Sequence, residues 1–380
     1  MKTRTRILTG SALAALVASA APMASASPLH HEFGHHGDHR TDAVFVQTDN
    51  LSGNAVVRYN RSRTGNLTQT GSYPTGGDGG QLGGSQVDHL ASEGSLVRNG
   101  DHLYAVNAGS NTISSFRITR TGLVREQVIN SGGEFPVSIT ASGRTVFVLN
   151  ARGGGSIQGY LNIGGRLIKV DAWNRQLGFD PNASPEFTST PAQIRFAPDD
   201  HELIVTTKGD GSSIETFAFS TFGWLAEQPT VTALAGQVPF GIDFTRSGQL
   251  VATEAGTNSV ATFRLGRHGG VHQLDQAATG QQATCWVVVA GDVAYVSNAG
   301  SATVTSYRIG HHGMITPLQT VSTDAGTVDA AVSTDGHNLY VQTGAEGKVD
   351  EFMINSDGTL TRIGSVTVPQ AAGGEGIAVG

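Results

Sequence analysis

The chain of 380 residues carries 51 glycines, only 14% charged residues and a formal net charge of −7. That acidic balance argues against nucleic acid or an anionic membrane surface as a partner. The single cysteine, Cys285, excludes an internal disulfide, and no segment sustains a 3.6-residue apolar period, so almost no helix is expected.

Residues 1–26 read as a secretory signal peptide. Lys2, Arg4 and Arg6 precede an apolar run from Ile7 to Ala20, and Ala24-Ser25-Ala26 offers a small-residue cleavage site. The expectation is a secreted protein, with no membrane insertion, because the apolar run is short for a span. Removing this segment takes three of the 24 basic residues and leaves 21 against 31 acidic ones, deepening the negative charge. Residues 27–41 hold His30, His31, His35, His36 and His39 among polar residues. They read as a disordered tail that takes up transition metals only adventitiously. The remainder, 42–380, reads as one folded ring.

The ring is legible from a repeat. LYAVNAGSNTISSFRI from Leu103, AYVSNAGSATVTSYRI from Ala294 and LVATEAGTNSVATFRL from Leu250 are close copies of one strand–turn–strand unit. Looser copies start at Val44, Val146, Leu203 and Leu339, making seven copies spaced by 43 to 59 residues. A period of roughly 40–50 residues built of short strands is the signature of propeller blades. Each blade reads as strands A to D. The A–B turns fall at Asn99-Gly100, Ser142-Gly143, Ser247-Gly248 and Asp335-Gly336, and the C–D turns at Thr121-Gly122, Gly164-Gly165, His268-Gly269, His312-Gly313 and Asp357-Gly358. These residue types tolerate the positive φ that tight hairpins need. EGIAV (Glu375 to Val379) matches EGSLV (Glu93 to Val97), so the C-terminal strand is expected to complete the blade begun at Val44. The fold class is all-β: a seven-bladed β-propeller closed by pairing of the C-terminal strand with the N-terminal hairpin, which removes sheet edges.

Two D–A crossovers are long, Gly71 to Asp88 and Asp171 to Pro191. Loops of this length in a compact domain are usually functional. They share a face with the B–C turns, at the mouth of the central channel. Alignment of the A strands places Glu93, Asp329 and Glu375 at equivalent positions in neighbouring blades two, seven and one. Three such carboxylates suit either an oxygen-ligated cation or a carboxyl of raised pKa, and the unmetallated reading is the expectation. Arg152 and Lys208, in B–C turns of blades three and four, and Glu254, ending strand B of blade five, stand across the same mouth. A cation opposite a carboxylate suits an anionic substrate or a developing oxyanion. His89 and Trp286 complete the candidate binding set, with Trp286 as a floor. Asn107, Asn150 and Asn298 end three B strands and read as structural turn-holders; Cys285 reads as a buried thiol. His268, His272, His311 and His312 sit around C–D turns on the opposite face. No GxSxG, Walker or HExxH motif is present.

The repeated YxxN-AGS-V-x-x-Y/F-R-I blades, QIRFAPDD from Gln193 and VATEAGTNSV from Val251 resemble the seven-bladed lactonase propellers, the group of 6-phosphogluconolactonase-like and carboxymuconate lactonizing enzymes. The resemblance spans residues 43–380. It implies cleavage or formation of small lactones without an obligatory metal or other cofactor, using acidic and basic residues at the channel mouth. Glu254 matches the family's glutamate at the end of a B strand, with Thr253 in place of asparagine. The family's Arg-His pair is absent; Pro191-Ala192-Gln193 and Pro239-Phe240-Gly241 stand where it would lie. Two readings follow. One is an exported lactonase-like hydrolase in which Glu254 or one of the acidic trio activates water and Arg152 or Lys208 stabilises the oxyanion. The other is a noncatalytic propeller that binds a protein or glycan. In either case a monomer is expected, with a small lactone or an unidentified extracellular ligand as its partner.

Overall fold

A computed structural model of the chain describes residues 43–267 and 269–380; the signal-like segment, the histidine tail and His268 lie outside the described residues. The described chain forms seven four-stranded antiparallel sheets, each a meander. The inner strands are Ile377–Val379, Leu96–Asn99, Glu134–Ser142, Pro191–Phe196, Pro239–Phe244, Thr284–Ala290 and Thr327–Val332, for blades one to seven. Successive inner strands pack side by side around the whole ring. One four-residue helix, Glu186–Ser189, and one turn of 3₁₀ helix, Ala108–Ser110, are the only helical elements among the described residues. None of the described helices is long and apolar enough to cross a membrane.

The repeat exists because one position in every blade fills the space against its neighbour. Tyr59, Phe116, Tyr160, Phe217, Phe263, Tyr307 and Phe352 occupy the same register in the third strands, and none is more than 2% exposed. Burying one such ring stabilises by roughly 1.5–3 kcal/mol. The fourth strands are largely open to water, as in Leu67–Pro74, where only Leu67 is buried, because they form the outer rim of the ring. The expected A–B and C–D turns that lie wholly within the described residues join paired strands as hairpins; Gly143 at φ +53° and Gly358 at φ +86° show why glycine stands there.

Ring closure is as read from the repeat. Ile377, Ala378 and Val379 pair antiparallel with Val46, Phe45 and Val44. Ala43 and Gly380 exchange two backbone hydrogen bonds of 2.8 Å. Since each blade is a separate sheet, side chains and a few backbone groups tie the inner strands together. Glu375 accepts from Gly94 N–H (2.8 Å), Ser138 Oγ from Ile194 N–H (3.2 Å), Gln193 Oε1 from Ile242 N–H (2.5 Å), Asp243 Oδ2 from Val289 N–H (2.8 Å) and Asp329 Oδ2 from Ile377 N–H (3.2 Å). Gly94 O accepts from Ile139 N–H at 2.8 Å.

Both long crossovers begin later than their sequence suggests, because the preceding strands run on, and the first also ends later. Gly71 pairs with Arg58 inside the strand Leu67–Pro74, and Asp171 lies inside Arg166–Gln176, so the connections are 75–95 and 177–190. Trp173 accordingly belongs to a strand and stacks on Phe147 with centroids 5.5 Å apart. The cause is a bulge opposite Gln158/Gly159, which inserts Asp171, Ala172 and Trp173 and carries pairing beyond the apparent end of alternation.

Candidate active site

The two long connections cover the channel mouth and interlock. Gly83 N–H donates to Glu186 Oε2 at 2.6 Å, and Phe187 N–H to Gly83 O at 3.4 Å. Arg152 binds Glu186 (Nε–Oε1 2.6 Å), donates to Gln81 O (3.3 Å) and lies 4.2 Å above the Phe135 ring. Its guanidinium holds the Glu186 carboxyl below the usual carboxylate range. Arg152 is thus the clasp between the covering segments, partly open to solvent.

Beneath the cover the groups are buried. Leu82, Leu90, Ala91 and Ser92 descend into the mouth, with Ala91 at φ +47°. Asp88 holds this descent by accepting from Leu90 and Ser92 N–H, both at 2.8 Å. Lys208 Nζ donates to Ala91 O and lies 5.5 Å from the Phe240 ring centre. Burial pushes Asp88 up to about 7 and Lys208 down to about 7, each partly offset by the other's charge. The two groups act on each other through their fields, while their direct partners are backbone groups of the turn between them. Burial also pushes the neighbouring Cys285 thiol up to about 12, which leaves it a thiol.

The acidic trio does come together in the channel, below the cover. Burial raises Glu93 and then the charge of Asp329 raises it further; Glu375 is raised by burial, then by Asp329 and Asp88. Asp329 is pushed up to about 6 by burial, offset by its hydrogen bond with Glu375. Glu93 Oε2 accepts from Val287 N–H at 3.2 Å, so this side chain of blade two crosses the channel to blade six. Trp286 Nε1 donates to Ser92 O at 2.7 Å, and its ring meets Phe240 edge-on at 5.1 Å. Among the described residues no group of three or more His, Cys, Asp or Glu side chains is arranged to hold a metal ion.

Glu254 stands apart from Lys208. It is fully buried within blade five, accepting from Ser259 Oγ (2.7 Å) and Gln276 Nε2 (2.5 Å), and burial raises its pKa. His89 donates its backbone N–H to Gly373 O (2.8 Å), and burial lowers its ring pKa. Asn107 and Asn298 bond across their turns to the following strands, through Ser114 Oγ at 2.8 Å and Thr303 Oγ1 at 3.2 Å.

Two residues of the site escaped the sequence reading, Asp88 and Asp49. Asp49, in the B–C turn of blade one, is buried and raised by burial and by the charge of Asp88. Around it lie polar atoms that are buried without a partner: Asp49 Oδ2, both amide atoms of Gln47, Gln342 Oε1 and His89 Nδ1. Gln342 Nε2 donates to Gln47 O at 3.3 Å, and Gln47 N–H to Gly376 O at 2.8 Å, which joins them to the acidic trio. Unpaired buried groups are costly, and several together favour a polar ligand or ordered water. The only sequence signal for Asp88 was its place before Leu90 and Ser92, an Asp positioned to bond its own backbone.

The family model described as a lactonase with a seven-bladed β-propeller matches residues 9–157. No curated protein matches the chain. Solved structures match over almost their full length. A candidate 6-phosphogluconolactonase from Bacteroides fragilis is 19% identical, with a TM-score of 0.70 over 90% of this chain and 98% of that one. A protein from Lactobacillus plantarum is 18% identical, with a TM-score of 0.71 over 89% and 99%. The periplasmic gluconolactonase of Pseudomonas aeruginosa is 16% identical, with a TM-score of 0.71 over 89% and 98%. At these identities the structural likeness carries the fold; the family model and the blade motifs together bear out the resemblance to lactonase propellers.

Proposed function

Taking the chain as a lactonase-like seven-bladed propeller, we propose that it hydrolyses a small lactone beneath the covered mouth. The observation that carries this reading is that a buried carboxyl, Asp88, and a buried amine, Lys208, hold the same backbone turn at Leu90 to Ser92 beneath the cover. The Asp88 carboxylate takes a proton from water as its oxygen bonds to the lactone carbonyl carbon. The Lys208 ammonium stabilises the resulting oxyanion. When the ring C–O bond breaks, Lys208 gives a proton to the departing alkoxide, and the product is a hydroxy acid. The unpaired atoms of Asp49, Gln47, Gln342 and His89 support recognition of a polar, hydroxyl-bearing substrate. The signal-like residues 1–26 support export of the enzyme.

The test is a panel of small lactones assayed by proton release. Asp88→Asn should lower kcat by about 10²–10⁴-fold, and Lys208→Met by roughly 10²–10³-fold. Retained activity in both variants would sink the pair. Loss in Glu254→Gln alone would move the base to blade five.

One observation favours the noncatalytic alternative. A cleft of about 770 Å³ lies between the fourth strand of blade three and the C–D loop of blade four, with Trp224 on its wall at 64% exposure. An aromatic wall of this kind suits a glycan or an apolar protein side chain. A protein inert on every lactone that retains a glycan through Trp224 would establish that reading instead.

A further inference from the structure

The opposite face of the ring carries a second concave site. A cleft of about 360 Å³ opens between blades five and six, where their A–B and C–D turns meet, and is lined by Arg246, Ser247, Asp292, Arg308, Ile309 and His311. Arg308 Nη2 donates to Asp357 O at 2.6 Å, which fixes one corner of its guanidinium. The Arg246 guanidinium lies beside Gly291, while its backbone N–H is tied to Gly291 O at 3.0 Å. His311 is anchored through its carbonyl, which accepts from Gln249 Nε2 at 2.6 Å, so its ring is left to the cleft. Asp292 is similarly held by Ile309 N–H at 2.8 Å.

The charge here runs against that of the chain. The same ends of blades five and six expose Arg264, Arg267, His272 and His312 besides Arg246 and Arg308. Three acidic groups stand nearby: Asp243 is engaged by Arg195 at 2.5 Å inside the channel, Asp292 lines the cleft, and the exposed Asp357 carboxyl feels the charge of Arg308 from blade seven. In a chain of net charge −7, two guanidinium groups and a histidine sharing one hollow form a local positive well. Guanidinium forks match a tetrahedral oxyanion with two parallel hydrogen bonds each, and the Ser247 hydroxyl adds a further donor. We propose that this cleft binds a phosphate group, held between Arg246 and Arg308. The site is independent of the channel mouth and does not rest on the lactonase reading.

Two sources share that chemistry, a soluble phosphate ester and a phospholipid headgroup, and the test separates them. Full-length protein is titrated calorimetrically with inorganic phosphate, with phenyl phosphate and with acetate at low salt; sedimentation with phosphatidylglycerol vesicles forms the lipid arm. Phenyl phosphate should bind in the millimolar range or tighter, and acetate at least tenfold more weakly. Arg246→Ala and Arg308→Ala should each weaken phenyl phosphate about tenfold, the scale of one charge-assisted bond. Lys208→Met should bind it as the wild type does, which separates this face from the mouth. Vesicle sedimentation lost in both arginine variants would assign the headgroup; phenyl phosphate binding without sedimentation would assign the soluble ester. Wild type that binds neither probe, acetate that binds as tightly, or arginine variants that bind unchanged would each overturn the proposal.

Discussion

Glu93 and Gly241 fit each other across the central channel: the Glu93 carboxylate occupies the place where a Cβ on Gly241 would stand. The cause lies in how the inner strands are tied. Gln193 in blade four catches Ile242 N–H of the next blade, but Gly241, at the same register in blade five, has no side chain to catch Val287 N–H. Glu93 arrives from blade two and supplies the missing acceptor.

Gly241→Ala should therefore destabilise the protein by roughly 1–3 kcal/mol, the usual cost of overpacking a closed site. In a Glu93→Ala background the same change should cost much less. Urea melts of the four members of this double-mutant cycle measure the coupling. Additive costs would mean that Gly241 is required for some other reason.

The buried carboxyls make stability depend on pH in an uncommon direction. Asp329 rises from an ordinary value near 3.8 to about 6 and Asp88 to about 7, so the folded state keeps protons that the unfolded chain has released. Stability from these groups is whole below about pH 4 and is lost as pH climbs through 6 and 7. Lys208, lowered to about 7, acts oppositely: the folded state gives up its proton first, and stability returns above pH 7. The melting temperature should pass through a minimum near pH 7. Asp329→Asn should flatten the fall between pH 4 and 6, by an amount of order 2–3 kcal/mol. A melting temperature rising steadily from pH 5 to 7 would contradict this account.

Glu186→Gln should loosen the clasp over the mouth without unfolding the ring. The Arg152–Glu186 pair is partly exposed and contributes on the order of 1 kcal/mol or less. Amide exchange at Gly83 should quicken severalfold, while that of Val148 in the core of blade three stays slow. Unchanged exchange at Gly83 would show that Leu82 and Phe187 packing alone holds the cover.

Deleting residues 374–380 removes the inner strand of blade one, and also Glu375 with its bonds to Gly94 and Ser95. An insoluble or protease-sensitive product is expected, since the Ala43–Gln47 strand becomes an open edge. A truncated protein that melts as before would rule out dependence on closure.

What the sequence disclosed follows from periodicity. Tyr59, Phe116 and Phe352 share a register because every blade must meet its neighbour, and the same alignment brought Glu93, Asp329 and Glu375 to one side of the channel. Glu254 obeyed the alignment as well, yet its carboxylate turns to Ser259 and Gln276. The residue ends a strand, and register fixes the Cα there without fixing the side chain's aim. Asp88 lies in a crossover with no counterpart in other blades, so no alignment could place it; Asp49 shares the register of Lys208, and only its burial in the folded ring marks it out. Gly71 and Asp171 were read as loop residues because bulged strands hide their own ends from a period-two pattern.

Closure also sets a clock. Val44 finds its partner Val379 only after almost the whole ring has been synthesised. At about 5–20 residues per second, the strand Ala43–Gln47 waits on the order of tens of seconds with one edge unpaired. Six blades can assemble in order as they emerge, but the first must wait for the last. During that interval the strand from Ile377 of another copy is as good a match as its own, so yield on expression should fall with rising chain concentration sooner than equilibrium stability would suggest.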